Sequence, residues 1–298
     1  MNEFEGVYVV LVTPLDASGA FDGPGLRKNI DWLISEGVDG LVVMGSTGEF
    51  ASFGDAERRA IVDATANAVA ERIPLLVGVG AETTEKTISN IREAERCGAD
   101  GTLVLPPWYY TPSAEELIQH YTAIGAESRI PLMIYNNPFT SKVDVTPDVV
   151  RRIANEENIV AIKESSGNIR RIAEIRLCTD DRLSVFCGWE DMAYESFLVG
   201  AKGWICVAGN VVPQLSRDLY RLTRTGGTVG DAWSLYARML PLLRYFEYRG
   251  KTQVALKWML DQMGLAGGRS TSPKLPLPDS ETSELREIMK SLGISSIK

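Results

Sequence analysis

The chain has 298 residues, 45% of them hydrophobic and 23% charged, with a formal net charge of −8 at pH 7. This is the composition of an ordinary globular protein, long enough for one large domain or two small ones. No run of Lys or Arg suggests a nucleic-acid face, no apolar run approaches the ~20 residues that span a bilayer, and residues 1–6 lack the basic-then-apolar pattern of a signal peptide, so nucleic acid and membrane are not expected partners and a cytoplasmic location is expected.

Eight short apolar runs follow one another at 7–12, 41–44, 75–79, 102–105, 132–135, 160–163, 183–187 and 204–207. They are rich in β-branched residues and too short for helices, which predicts strands. Between them lie amphipathic helical patterns at 25–35, 55–70, 84–96, 113–125, 147–155, 169–178 and 192–198. Asp55, Thr84, Ser113 and Thr146 stand where helix caps are expected, and Gly37, Gly98 and Gly200 where helices stop. Eightfold strand–helix alternation predicts an α/β fold, a parallel (β/α)8 TIM barrel. A doubly wound open sheet is the alternative. It normally carries a glycine-rich dinucleotide turn after an early strand, and Gly78-Val79-Gly80 followed by Ala81-Glu82-Thr83 fails that pattern. Gly226-Gly227 is expected to form a short turn. Beyond it, 228–246, 251–263 and 280–290 read as three further helices and 264–278 as an exposed Gly/Pro loop. The expected organisation is a barrel over 1–225 and a C-terminal helical appendage over 226–298.

In such a barrel the chemistry sits at the C-terminal ends of the strands. Those ends carry Thr13-Pro14, Gly45-Ser46-Thr47-Gly48-Glu49, Pro106-Pro107-Trp108-Tyr109-Tyr110, Tyr135-Asn136-Asn137-Pro138, Lys163, Gly188-Trp189-Glu190-Asp191 and Ala208-Gly209-Asn210. Lys163 ends the apolar run Ile159-Val160-Ala161-Ile162. A lysine there is costly to desolvate: it pairs with a carboxylate such as Glu164, or gives up its proton. The neutral amine is a nucleophile whose partner is a ketone or aldehyde, with which it forms a Schiff base.

The loop 45–48 offers backbone N–H groups and two hydroxyls, suited to a substrate carboxylate or to capping a tight turn. Tyr135 is a general acid/base candidate or a buried phenol satisfied by backbone. Trp108-Tyr109-Tyr110 reads as packing or interface. Glu190-Asp191 either caps the next helix through Asp191 or binds substrate hydroxyls. Cys97, Cys178, Cys187 and Cys206 include no CxxC pair, and the last two sit in strand-like runs as small buried hydrophobes of a reducing compartment. The single histidine, His120, rules out a multi-histidine metal site and a Ser-His-Asp triad, and its helical context predicts a surface position. No metal and no cofactor is expected.

Three of these motifs, Gly45-Ser46-Thr47-Gly48-Glu49, Tyr135-Asn136-Asn137-Pro138 and Ile162-Lys163-Glu164-Ser165-Ser166-Gly167-Asn168, stand in an order and at a spacing that resembles the dihydrodipicolinate synthase / N-acetylneuraminate lyase family of Schiff-base lyases and aldolases. Residues 107–112 and 203–210 support the resemblance, which runs from about residue 6 to about residue 290. It implies that Lys163 forms the imine with pyruvate or another 2-oxo acid, that Ser46 and Thr47, with Gly48, hold its carboxylate, and that Tyr135 shuttles protons with Thr47 as relay. It implies that Tyr109 completes the relay across a dimer interface in a homotetramer built as a dimer of dimers. Thr140, Ser165, Trp189, Glu190 and Val207 would line the part of the pocket that chooses the substrate.

Two departures bear on that choice. Thr140 occupies the position of the arginine that grips the aldehyde carboxylate in the synthases, with Lys142 as a candidate replacement. Val207 occupies that of a sugar-binding serine in the sialic acid lyases. The expected function is therefore a catabolic lyase of a 2-oxo-3-deoxy sugar acid or a hydroxylated 2-oxo or cyclic imino acid. The alternatives are 4-hydroxy-tetrahydrodipicolinate synthase and a non-catalytic 2-oxo acid binding protein.

Overall fold

The computed structural model describes residues 4–224 and 227–295. Eight parallel strands close into a barrel in sequence order: β1 Gly6–Val10, β2 Gly40–Val43, β3 Leu75–Gly78, β4 Gly101–Val104, β5 Leu132–Asn136, β6 Ile159–Glu164, β7 Ser184–Cys187 and β8 Gly203–Cys206, with β8 pairing back onto β1. The helices that cover them are α1 Gly23–Ser35, α2 Asp55–Val69, α3 Thr84–Arg96, α4 Ala114–Glu127, the single turn α5 Pro138–Ser141, α6 Pro147–Ile153, α7 Arg170–Cys178, α8 Ala193–Leu198 and α9 Pro213–Arg224. Three more follow: α10 Val229–Tyr248, α11 Thr252–Gln262 and α12 Asp279–Leu292. The division expected between 225 and 226, and Gly226 of the expected turn, lie outside the described residues.

Strand alternation divides the core in two. Val7 and Val9 face outward into the layer between sheet and helices. Tyr8, Val10, Met133, Tyr135, Ala161, Phe186 and Ile205 face inward and fill the barrel. Tyr8 and Phe186 meet edge to face at 5.6 Å in that interior. They fit because Gly40 and Gly203 leave room: a Cβ on either would stand 2.3 Å from a ring carbon. A barrel filled this way is a packed plug below and a mouth above, where Tyr135 and Lys163 are the last inward-facing residues of β5 and β6.

The helix termini correct two of the four expected caps, and a third, Thr146, holds the cap position without a side-chain bond. Ser113 caps α4 in a reciprocal box with Glu116. The cap of α3 is Thr83, whose hydroxyl accepts from Lys86 N at 3.2 Å, and Thr84 is the first helical residue. Before α2, the Glu57 carboxylate accepts from Gly54 N at 3.0 Å, so Asp55 is not the cap. Thr146 precedes α6 without a side-chain bond, and Pro147 starts that helix. Gly37, Gly98 and Gly200 all end helices in the left-handed region, as expected.

His120 is not on a helix surface. It is buried, its Nδ1 2.9 Å from Thr84 Oγ1, and burial pushes its imidazole down to about 4, so it is neutral at physiological pH. The segment 264–278 is less free than a loop read as exposed: Gly268 bridges to Leu15, and Thr271 and Lys274 reach Glu49 of the β2 loop. Among the described residues no helix is long and apolar enough to cross a membrane.

Candidate active site

β5 and β6 are in register so that Tyr135 pairs with Lys163, and both side chains point into the barrel mouth. The Lys163 side chain is 5% exposed, and its Nζ lies 4.0 Å from the centroid of the Tyr135 ring. No ion pair to Lys163 forms among the described residues. The pairing with Glu164 does not occur, because consecutive strand residues face opposite ways. The Glu164 carboxylate accepts instead from Asn136 Nδ2 at 2.9 Å and Ser166 N at 2.6 Å, with burial raising its pKa. Lys163 crosses the chain at Gly188. A Cβ there would sit 2.7 Å from Lys163 Cγ and 2.0 Å from Ser165 Oγ, so only glycine lets the lysine lie where it does.

The Tyr135 phenol accepts from Asn137 Nδ2 at 3.0 Å. Burial pushes its pKa up, but the charge of Lys163 and hydrogen bonds from Asn137, Ser46 and Lys163 outweigh burial, and the net shift is downward. A phenol in that state exchanges protons more readily than a free tyrosine and is matched to general acid/base work.

The β2 loop brings Ser46 and Thr47 to the same mouth, both in a tight turn in which Gly48 N donates to Gly45 O at 3.0 Å and Glu49 N to Ser46 O at 3.1 Å. Thr13 Oγ1 donates to Gly48 O at 2.8 Å and holds the turn against β1. Thr47 is buried. The Ser46 hydroxyl influences the Tyr135 phenol, yet its oxygen is buried without a hydrogen bond of good geometry. A buried hydroxyl with donor capacity to spare, facing the Tyr135 phenol, suits an incoming anionic group.

The remaining expected site residues fall into two groups. Trp189 packs on Phe139 with ring centroids 5.1 Å apart, over Gly167, and this aromatic pair bridges the loops after β5 and β7. Thr140 stands exposed on α5, its N–H accepted by Asn137 Oδ1. Lys142 turns back to donate to Phe139 O at 2.9 Å, so it is engaged in ending that turn.

Ser165 is fully buried and donates to Gly188 O at 2.9 Å, tying β6 to β7 instead of facing an open pocket. Glu190 is likewise occupied. Its two oxygens accept from Val207 N at 2.8 Å and Ala208 N at 2.9 Å, while its own N–H donates to Glu247 Oε1 at 2.6 Å. Burial and the neighbouring Glu247 push the Glu190 carboxyl up to about 8, and burial pushes Glu247 up to about 7. Asp191 does not cap α8. Its Oδ2 is 3.6 Å from Arg244 Nε and its carbonyl accepts from Tyr236.

Tyr109 is 75% exposed, stacked edge to face on Tyr110, with its N–H held by Glu82. A single copy of the chain therefore leaves it on the outer surface, not buried beside Tyr135. Sequence reasoning missed Asn137 as the phenol's partner and Glu247 as the carboxylate behind the β7 loop. Asn137 lies inside a quoted motif and was accessible. Glu247, on α10, has no local signal.

Comparison with known proteins agrees with this geometry. The model of the dihydrodipicolinate synthetase family matches residues 3–292. The 4-hydroxy-tetrahydrodipicolinate synthase of Archaeoglobus fulgidus is 34% identical over 293 residues, covering 98% of this chain and 100% of its own. Among solved structures, a pyruvate complex of the Acinetobacter baumannii dihydrodipicolinate synthase superposes with a TM-score of 0.92 at 30% identity, over 97% of this chain and 99% of that one. A pyruvate complex of YagE, a prophage protein of the same family from Escherichia coli K12, gives a TM-score of 0.92 at 29% identity, over 98% and 99%.

Proposed function

This chain belongs to the dihydrodipicolinate synthetase family of Schiff-base lyases and aldolases, and from that premise we propose that Lys163 forms an imine with the keto carbon of pyruvate or a substituted 2-oxo acid. The observation that carries the proposal is a buried lysine without a carboxylate partner among the described residues, 4.0 Å from the ring of a tyrosine whose pKa is lowered. The Lys163 amine adds to the ketone carbon to give a carbinolamine, which loses water to give the protonated imine. Tyr135 carries the protons these steps need, with Thr47 as relay. The imine then accepts the electron pair left when a C3 proton or a C3–C4 bond is lost, so a carbanion is held as an enamine. Ser46 and Thr47 hold the carboxylate. Tyr109, exposed on its own subunit, completes the relay of a neighbouring copy in a homotetramer.

The relatives support one finer reading: condensation of the pyruvate enamine with aspartate semialdehyde, the 4-hydroxy-tetrahydrodipicolinate synthase reaction. This reverses the order in which the sequence alone ranks the two enzymatic readings. A specific observation favours the second, a catabolic lyase of a hydroxylated 2-oxo or cyclic imino acid. Thr140 carries no charge, Lys142 is turned away, and the facing β7 loop is backed by the carboxyls of Glu190 and Glu247. With Lys142 engaged and the Glu190 oxygens taken up by Val207 N and Ala208 N, this side of the site offers a second carboxylate no charged fork.

The deciding experiment has two stages. Intact-mass spectrometry after pyruvate and borohydride should show one reduced adduct that Lys163→Ala abolishes, and an unlabelled wild type would end the Schiff-base reading. A coupled assay with pyruvate and aspartate semialdehyde, run beside a panel of hydroxylated 2-oxo acids and pyrroline carboxylates, then separates the two finer readings by kcat/KM.

A further inference from the structure

Glu49 closes the β2 loop, yet the ion-pair and hydrogen-bond partners of its carboxylate come from the C-terminal part of the chain. Lys257 Nζ lies 2.6 Å from Glu49 Oε1, with both side chains almost fully buried. Glu49 Oε2 accepts from Thr271 N at 2.9 Å, Thr271 Oγ1 at 2.6 Å and Lys274 Nζ at 3.0 Å. Lys257 also donates to Arg269 O at 2.6 Å. One helical turn before Lys257, and so on the same face of α11, Gln253 Nε2 donates to Ser46 O at 3.2 Å. The loop between these attachments begins at Met44 with φ +58 and ends at Glu49 with φ +59, two non-glycine residues in the left-handed region. Such a backbone persists only where its surroundings hold it. The groups that hold it here come mainly from α11 and the segment after it.

We propose that α11 is a working part of the carboxylate cradle, with Lys257 and Gln253 as positioning residues that set where Ser46 and Thr47 meet the substrate carboxylate. This rests on the reading of the β2 loop as the site for a 2-oxo acid carboxylate. Simple adhesion between helix and barrel would be served as well by apolar side chains, since a buried ion pair has a large desolvation cost. What the pair adds is direction. Glu49 is fixed at both oxygens, and the turn from Ser46 to Glu49 is fixed with it. Gln253 then fixes the carbonyl of Ser46 itself, the residue whose hydroxyl is still unsatisfied.

The test titrates pyruvate against borohydride-trapped adduct in the full-length protein and in Gln253→Leu, Lys257→Met and Glu49→Gln/Lys257→Met variants, with Tm measured on each. Gln253→Leu strands no charge. Its half-saturating pyruvate should rise about fivefold, as expected for one lost neutral hydrogen bond, with the change falling on half-saturation and not on the plateau. Lys257→Met leaves Glu49 Oε1 buried without its cation, Lys274 remaining on Oε2, and should lower Tm. The double variant removes both charges and should recover most of that Tm, while its half-saturating pyruvate stays raised on the order of tenfold. A merely structural pair predicts that half-saturation recovers along with Tm. That result, with an unchanged Gln253→Leu titration, overturns the inference. Should the double variant not fold, the Gln253→Leu titration decides alone. Absence of adduct in the unsubstituted protein is a separate result, because it overturns the Schiff-base reading on which the inference stands.

Discussion

Lys163 and Tyr135 are register partners on adjacent parallel strands, so the barrel's hydrogen-bond ladder itself sets the 4.0 Å between the lysine nitrogen and the phenol ring. No loop motion is needed to assemble that pair. Removing the hydroxyl alone, with Tyr135→Phe, should leave Tm nearly unchanged and slow imine formation by about 10²–10⁴-fold. Stopped-flow trapping of the pyruvate adduct measures the rate, and a near-native rate would remove Tyr135 from the proton relay.

Gly188 should tolerate nothing larger. A methyl group there falls 2.0 Å from Ser165 Oγ and 2.7 Å from Lys163 Cγ, so the lysine must leave its position. Gly188→Ala is expected to cost about 1–3 kcal/mol of stability and to abolish adduct formation at pyruvate concentrations that saturate the wild type. Chemical denaturation and intact mass read the two effects separately.

Stability should fall as pH rises toward 8. The folded chain holds a proton on Glu190 up to about pH 8 and on Glu247 up to about 7, whereas both lose it near 4.5 when unfolded. Between those limits the folded state binds more protons than the unfolded one, so raising the pH favours unfolding, by a few kcal/mol as an order of magnitude. His120 acts in the opposite sense as pH rises from about 4 to 6.5, so the window from 6.5 to 8 reads the carboxyls cleanly. Glu190→Gln should flatten the denaturant midpoint across that window. An equal slope in the variant would show that Glu190 is ionised in the fold.

If Tyr109 serves a neighbouring subunit, two inactive variants should rescue one another. Lys163→Ala and Tyr109→Phe chains, unfolded together and refolded as hybrids, would contain some sites with an intact lysine and an intact tyrosine. Activity above the sum of the parents is expected, up to roughly a quarter of wild type by random assortment in a dimer. Hybrids no better than their parents would confine Tyr109 to packing.

Thr140→Arg should add a carboxylate fork to α5. The expected outcome is a rise of about tenfold or more in kcat/KM with aspartate semialdehyde, with little effect on pyruvate trapping. A fall in that parameter would mean that Thr140 already contacts the second substrate through its hydroxyl.

The barrel and the buried position of Lys163 were legible because both are local. Eight β-branched runs alternate with amphipathic ones, and Lys163 interrupts an apolar strand where nothing apolar is missing. Helix α9 was not among the expected elements, although Leu215, Leu219 and Leu222 recur at i, i+4 and i+7, the spacing of one apolar helix face, and the helix packs on α8, α10 and β1. His120 was misplaced for a different reason. It neighbours Tyr121 and Leu117 on the core side of α4, and only the arrival of Thr84 from α3 covers it. Glu190 was expected to reach toward substrate, but the backbone N–H groups at the end of β8 take up both its oxygens. Glu247, Gln253 and Lys257 meet the site across long stretches of chain, and such contacts leave no periodicity to read.

Asn136 faces away from the barrel mouth, and its amide joins Glu164, Asp144 and the N–H of Val145. It thereby fastens residue 145 directly to the strand that residue 137 leaves. The nine-residue stretch from 137 to 145 is thus a loop closed at its base, with Asn137 at one end still tied to the Tyr135 phenol. Residues 138–144 can therefore be exchanged as a unit while Tyr135, Asn137 and Lys163 keep their places. Such an exchange alters the loop beside the barrel mouth without altering the strands that carry Tyr135 and Lys163.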